Sequence, residues 1–208
     1  TIEQMRLTYN GEKPVLEKHL NQESMITYIG YKLKPKSKWA EDLETSGFKR
    51  LSQSFFTKGI SRNSDVSKPT IRDHRESGGF LRSYGLISTS SSLFVAASFS
   101  KGKNENNNRL AKQPGIILVI SNSEKMAIDI NGIYKDYEGI NDTIWDNEEE
   151  FARVKEISGK DILGIYLIND QGIVEKYQKN ESSQEEWSDY SLQHVQGVWN
   201  QAPIDLTD

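Results

Sequence analysis

Residues 115–120, Gly-Ile-Ile-Leu-Val-Ile, form a run without a single polar side chain. A segment so short and so apolar has to be covered on both faces, so it reads as a central strand with other elements packed above and below it. The rest of the chain must supply those elements. Met25–Leu33 alternates and is rich in aromatic residues, which predicts a strand that ends at Pro35. Residues 84–90, Glu150–Val154 and Ile162–Ile168 read as further strands, and Met126–Ile130 as one more. Leu93–Phe99 reads as a helix, and Trp39–Thr45 as a short helix closed by Gly47, where a positive φ is available. The loops include a long polar stretch from Lys58 to Gly79, with one helix in it, and a segment carrying Tyr134, Tyr137 and Trp145. Short strands interleaved with helices, without a βαβ rhythm or a GxGxxG loop, predict an α+β domain and not a dinucleotide-binding doubly wound sheet.

Composition removes several function classes. The chain of 208 residues has no cysteine, so thiolate nucleophiles, disulfides and Cys-based zinc sites are out of reach. His19, His74 and His194 are the only histidines and lie far apart in sequence, which argues against a metal centre. The net charge of -4 arises from 26 basic and 30 acidic residues, a balance that argues against nucleic acid as the main partner. No apolar run approaches the roughly 18 residues of a membrane span.

Three segments carry residue types suited to chemistry. The first is the acidic run Asp146-Asn147-Glu148-Glu149-Glu150 leading into a strand. If the backbone is extended there, Glu148 and Glu150 face one side. Two carboxylates so placed divide labour, one managing a nucleophile and the other stabilising positive charge on a sugar as its glycosidic bond breaks. Alone, such a run reads as an exposed acidic loop. The second is Ser88-Thr89-Ser90 with Ser91 and Ser92, whose hydroxyls suit either a cleft wall or the cap of the following helix. The third is the alternation Lys32, Lys34, Lys36, Lys38, read with equal weight as a solvated strand end or a phosphate-facing row. His74, in the stretch IRDHRESGG, reads by itself as a surface residue.

The order of these segments, a basic strand, a Ser-Thr-Ser strand and a Glu-x-Glu strand, resembles the R-S-E class of ADP-ribosyltransferase toxins. The resemblance is to the enzymatic A chains of cholera toxin and heat-labile enterotoxin in particular. It rests on SQSFFTKG at 52–59, on DHRESGGFLRSYGLISTSSS at 73–92, and on the spacing from Glu150 to Ile157, Ile162 and Gly164. Pertussis toxin has the same STSSS run. Patches of likeness cover residues from about 25 to 170.

The resemblance implies an ADP-ribosyltransferase fold, with two small mixed or antiparallel sheets around an NAD cleft and peripheral helices. It implies a domain plan of an N-terminal extension (1–24), a catalytic domain (25–175) and a partly ordered C-terminal tail (176–208). NAD is then the substrate, with no metal required. Glu150 binds the ribose and stabilises the cation, Glu148 activates the acceptor, and Ser88 braces Glu150. Thr89 and Ser90 shape the cleft, and His74 belongs to the cofactor-binding set. A Glu-x-Glu pair in this family goes with arginine acceptors, so the implied partner is a protein carrying an acceptor arginine, such as a G-protein α subunit. The chain would act in the cytosol of a target cell after secretion or injection by a bacterium, and a delivery subunit would be a separate chain. One feature departs from the pattern. The family's first strand ends in an Arg that grips NAD, and no Arg occurs between Met25 and Phe48. Counting back from Ser46-Gly47 points to Lys34, and matching the preceding tyrosine points to Lys32. A lysine keeps the charge but loses the planar fork. That leaves two alternatives open, a weakened binding protein on the same fold and an NAD glycohydrolase.

Overall fold

The computed structural model describes residues 16–61, 85–101, 113–138, 149–183 and 191–203. In chain order the strands and helices are β1 (Met25–Lys32), α1 (Lys38–Lys58), β2 (Ile60–Ser61), β3 (Leu86–Ser90), α2 (Leu93–Ser100), β4 (Gly115–Asn122), β5 (Ile128–Asp129), α3 (Ile130–Glu138), β6 (Glu150–Val154), β7 (Glu156–Ile157), β8 (Ile162–Ile168), β9 (Val174–Lys179) and α4 (Leu192–Gln201). Short 3-10 turns occupy Leu16–His19 and Gly159–Asp161. The strands form a seven-stranded sheet in the order β5-β6-β3-β1-β4-β8-β9 and a two-stranded sheet of β2 and β7, so the fold is α+β. All strand pairs among the described residues are antiparallel.

The apolar run is the centre of this arrangement. All eight residues of β4 are buried. β1 and β8 flank it with long registers, from Met25↔Asn122 to Lys32↔Gly115 on one side and from Gly115↔Ile168 to Ile120↔Ile162 on the other.

The larger sheet behaves as two leaves. β3 pairs with β6 over five residues, but β1 and β3 share only the register pair Tyr28↔Ser90. Arg153 of β6 donates to the Ser121 carbonyl and to Asn122 Oδ1 of β4. In a flat sheet three strand spacings, about 14 Å, separate β6 from β4, beyond the reach of a side chain. The β5-β6-β3 leaf therefore folds over at the single bridge so that its inner face meets that of the other leaf. The main core confirms this: Ile87 of β3 packs with Ile116, Leu118 and Ile120 of β4 and with Phe48, Leu51 and Phe55 of α1.

The other faces carry two smaller cores. α2 and α4 cover the outer face of the β1-β4-β8-β9 leaf, with Tyr28, Ala96, Ala97, Val119, Tyr166, Val195 and Trp199 buried together. α3 covers the outer face of β3 and β6 through Ile130, Ile133 and Tyr134 against Leu86 and Ala152. Gly30 is what lets α2 lie so close to β1, since a Cβ there would stand 1.8 Å from the Ala96 carbonyl oxygen.

Gly47 closes the first helical segment as expected, with φ 78° and ψ 166°, but a second segment follows this kink at once and runs to Lys58, because Phe48, Leu51, Phe55 and Phe56 form an apolar stripe that buries on the sheet. One expectation needs correction. Only Ile128–Asp129 of the 126–130 segment is strand, and a helix starts at Ile130. There the spacing of Ile130, Ile133 and Tyr134 is helical, and the Asp129 carboxylate accepts from the Gly132 amide at 2.8 Å in the first turn. β9 runs through residue 175 and forms the edge of the sheet, and α4 beyond it is docked. Trp199 Nε1 donates to Ser100 Oγ at 3.0 Å, and Lys101 Nζ lies over the Trp199 ring and donates to the Ala202 carbonyl. Burial pushes the Lys101 ammonium below the usual lysine range. Residues 62–79 of the stretch in which a helix is expected lie outside the described residues.

Gly30→Ala is expected to lower unfolding free energy by about 1–3 kcal/mol, because α2 has to move off β1 to admit the methyl group. Urea denaturation of the variant beside wild type measures it, and an unchanged midpoint would contradict the close packing described.

Candidate active site

β3 and β6 bring together the two segments that the sequence marks out. Ser90 pairs with Glu150, Thr89 with Phe151 and Ser88 with Ala152. Residues directly opposite in an antiparallel pair share a face, and alternate residues along each strand share it too. Ser88, Ser90 and Glu150 therefore lie on one face, the outer one. Ser88 is diagonal to Glu150, the relation in which side chains lie about 7–8 Å apart at the backbone and a long one can reach across. Ser88 is exposed and Glu150 half-buried, so this face is open to a ligand at that point.

Thr89 is turned the other way. It is buried, and its hydroxyl donates to the Phe151 carbonyl at 2.9 Å, which ties β3 to β6. It braces the strand pair on the inner face. Ser90 is buried at the β1 crossing, and its Oγ accepts from the Ser92 amide at 3.0 Å. Ser92 is the N-cap residue of α2 but makes no side-chain cap bond, so the Ser90 hydroxyl sets the entry to that helix.

The two lysines separate cleanly. Lys32 is the last residue of β1, half-buried, and two steps along the outer face from Gly30. Lys34 is exposed and lies beyond the strand. Lys32 pairs with Gly115, which packs against the Ser100 carbonyl, so it stands at the C-terminal end of α2, whereas Glu150 and Ser90 stand at the N-terminal end. The eight residues of α2 span about 12 Å. Lys32 and Glu150 thus share a face at opposite ends of α2, as they would at two ends of an extended ligand. Glu148 and His74, and residues from 139 onward in the segment carrying Tyr134, Tyr137 and Trp145, lie outside the described residues.

The extended backbone on which a shared side for Glu148 and Glu150 depends is interrupted at Glu149. Glu149 has a φ of 45°, in the left-handed region that non-glycine residues rarely adopt. It is held there from two sides: the Ser91 amide donates to the Glu149 carbonyl at 3.1 Å, and Ser91 Oγ donates to Glu149 Oε2 at 2.6 Å.

On the inner face, directly behind the site, a buried polar network has no precedent in the motif reading. Arg153 pairs with Asp161 at 3.0 Å and donates to Asn122 Oδ1 at 3.1 Å, while Asn122 Nδ2 donates to Thr27 Oγ1 at 2.9 Å. The signal was present in the sequence, since an arginine alternating with apolar residues inside a strand demands a partner. On the far side of α3, Lys18 and His19 pair with Asp136, and the hydrogen bond from Lys18 holds the Asp136 carboxyl below the usual carboxylate range. The concavity lined by Ser46, Phe48, Lys176 and Gln178 belongs to α1 and β9, at the opposite edge of the sheet from Glu150.

Comparison with solved structures identifies the fold. The chain superposes on a protein named EcPltA with a TM-score of 0.53 at 12% identity, covering 78% of this chain and 89% of that one. It matches a variant of the scabin toxin from Streptomyces scabies with a TM-score of 0.52 at 14% identity, over 90% of this chain and 87% of that one. A guanine-specific ADP-ribosyltransferase matches with a TM-score of 0.53 at 15% identity, over 88% of each chain. The architecture is the ADP-ribosyltransferase fold. No family model matches the sequence. No curated protein matches it either.

Asp161→Asn leaves the Arg153 guanidinium buried without its counter-charge and is expected to cost about 3 kcal/mol of stability. Replacing the pair together, Arg153→Met with Asp161→Leu, is expected to recover most of that loss. Denaturant titration of the three proteins decides it, and a double variant no better than Asp161→Asn would contradict the reading.

Proposed function

We propose that this chain is an NAD-dependent mono-ADP-ribosyltransferase of the cholera-toxin-like kind, acting on an arginine of a target protein. The observation that carries the reading is the register Ser90↔Glu150 on an ADP-ribosyltransferase fold, with Ser88 on the same open face. NAD would lie along the outer face, its nicotinamide riboside at Glu150 and Ser88 and its diphosphate toward Lys32. As the nicotinamide–ribose bond breaks, nicotinamide leaves neutral with the bonding electrons and positive charge builds on the ribose. A preorganised carboxylate at Glu150 stabilises that charge. The acceptor guanidinium nitrogen then bonds to the ribose carbon and loses a proton, which Glu148 is suited to take. A carboxylate also suits a guanidinium as a bidentate partner. Between the two lysines, placement favours Lys32 for the diphosphate.

A second acceptor class has an observation behind it, because one of the matched structures is named as guanine-specific. The Glu148 carboxylate, which pairs naturally with a cationic acceptor, supports arginine over a neutral base. Labelled NAD incubated with cell lysate, followed by mass spectrometry of modified peptides and of nucleic acid, separates the two. Label on arginine is expected, and label on guanine alone would overturn the acceptor assignment. Free nicotinamide without labelled product would indicate a glycohydrolase.

Glu150→Gln is expected to reduce nicotinamide release by at least about a hundredfold, the scale of losing one transition-state partner. Lys32→Ala should raise the KM for NAD by about tenfold, from a lost charged hydrogen bond, while Lys34→Ala changes it little. Equal effects at the two lysines, or full activity in Glu150→Gln, would contradict the assignment.

A further inference from the structure

Glu149, between the two glutamates assigned to the reaction, has no role in it as proposed, yet its backbone lies in the left-handed region. Glu149 is exposed and sits at φ 45°, where a non-glycine residue needs its surroundings to hold it. Its only described partner is Ser91, which engages both ends of the residue, the amide on the Glu149 carbonyl and the hydroxyl on the carboxylate. Ser91 immediately follows Ser90, the cross-strand partner of Glu150. The contact therefore closes the end of the β3–β6 ladder one step beyond the pair that forms the site. It fixes the backbone direction from which the Glu150 side chain departs and joins it to the turn that enters α2.

We infer that Glu149 is a positioning residue, and that its carboxylate, gripped by the Ser91 hydroxyl, sets the orientation of Glu150 for cleavage of the nicotinamide–ribose bond. The inference rests on the proposed transferase reading. The hydroxyl-to-carboxylate bond is short and charge-assisted, a kind stronger than a neutral pair. It opposes relaxation of residue 149 out of the left-handed region. Because the side chain is exposed, its removal leaves the core untouched. The effect falls on geometry and not on folding.

The experiment is steady-state kinetics of nicotinamide release from NAD, with melting temperature, for wild type, Ser91→Ala, Glu149→Ala, the double variant and Glu149→Gln. Ser91→Ala and Glu149→Ala are each expected to lower kcat about tenfold, since small misplacements of a reacting group carry costs of this order. KM for NAD should stay within about twofold, because the diphosphate end of the site is not touched. The double variant should be no slower than the slower single one, as expected for two residues acting through one contact. Glu149→Gln keeps an oxygen able to accept from Ser91 and should recover most of kcat. Single variants with wild-type kcat would overturn the inference, as would additive losses or kcat and KM moving together with a fall in melting temperature. A wild type that releases no nicotinamide would instead sink the transferase reading itself, a result distinct from active wild type with unaffected variants.

Discussion

The backbone pairing of β3 with β6 is the constraint on which the rest of the structure depends. It places a serine strand and an acidic strand, separated by some sixty residues of chain, in one register with Ser90 opposite Glu150. Everything nearby maintains that register. Thr89 bonds to the Phe151 carbonyl from within the ladder, Ser91 holds Glu149 at its end, and Arg153 anchors the strand from behind to Asn122 and Asp161. The leaf so formed meets the central leaf at a single pair, Tyr28↔Ser90. A junction that narrow would be loose by itself. It is made firm by the core between the leaves and by the Arg153 network that crosses it.

This division gives each face its task. The inner faces carry the main apolar core, with Thr89 and the Arg153 network as buried polar braces, and supply stability. The outer face at the crossing carries Glu150, Ser88 and, at the far end of α2, Lys32. Such an elongated row of polar groups suits a ligand with chemically different ends. The glycine at position 30 is central to this, since it lets α2 lie against β1 and fixes the separation between the carboxylate end and the lysine end. The C-terminal helix adds to the same layer through Trp199, Ser100 and Lys101, so a segment of polar composition is part of the architecture.

Much of the fold was legible because its main signals are local. The apolar run at 115–120 is a fully buried central strand, and the strands at 25–32, 86–90, 150–154 and 162–168 follow their alternation and boundary residues. What stayed hidden shares a cause. Gly47 does stop a helical segment, but the phenylalanines after it gain enough from burial to start another at once. The helix at 130–138 was hidden because its apolar stripe is short and follows directly on a two-residue strand. β9 has only Val174 fully buried and lies at an edge, where one face needs no apolar residues. At the site, residue type and order pointed to Ser88 and Glu150; strand parity then sets Thr89 apart from its neighbours, and the end of β1 at Lys32 leaves Lys34 outside the strand. What no sequence pattern discloses is the left-handed Glu149 and the fold-over at Tyr28, since both depend on contacts between distant segments.

The central claim is that one outer face, from Glu150 to Lys32, is an NAD site. A crystal structure of the Glu150→Gln protein with NAD tests it most directly. The account predicts the nicotinamide riboside within hydrogen-bonding reach of Ser88 and residue 150, and the diphosphate near Lys32 at the other end of α2. Density for NAD elsewhere, as in the concavity between α1 and β9, with the Glu150 face bare, would contradict it.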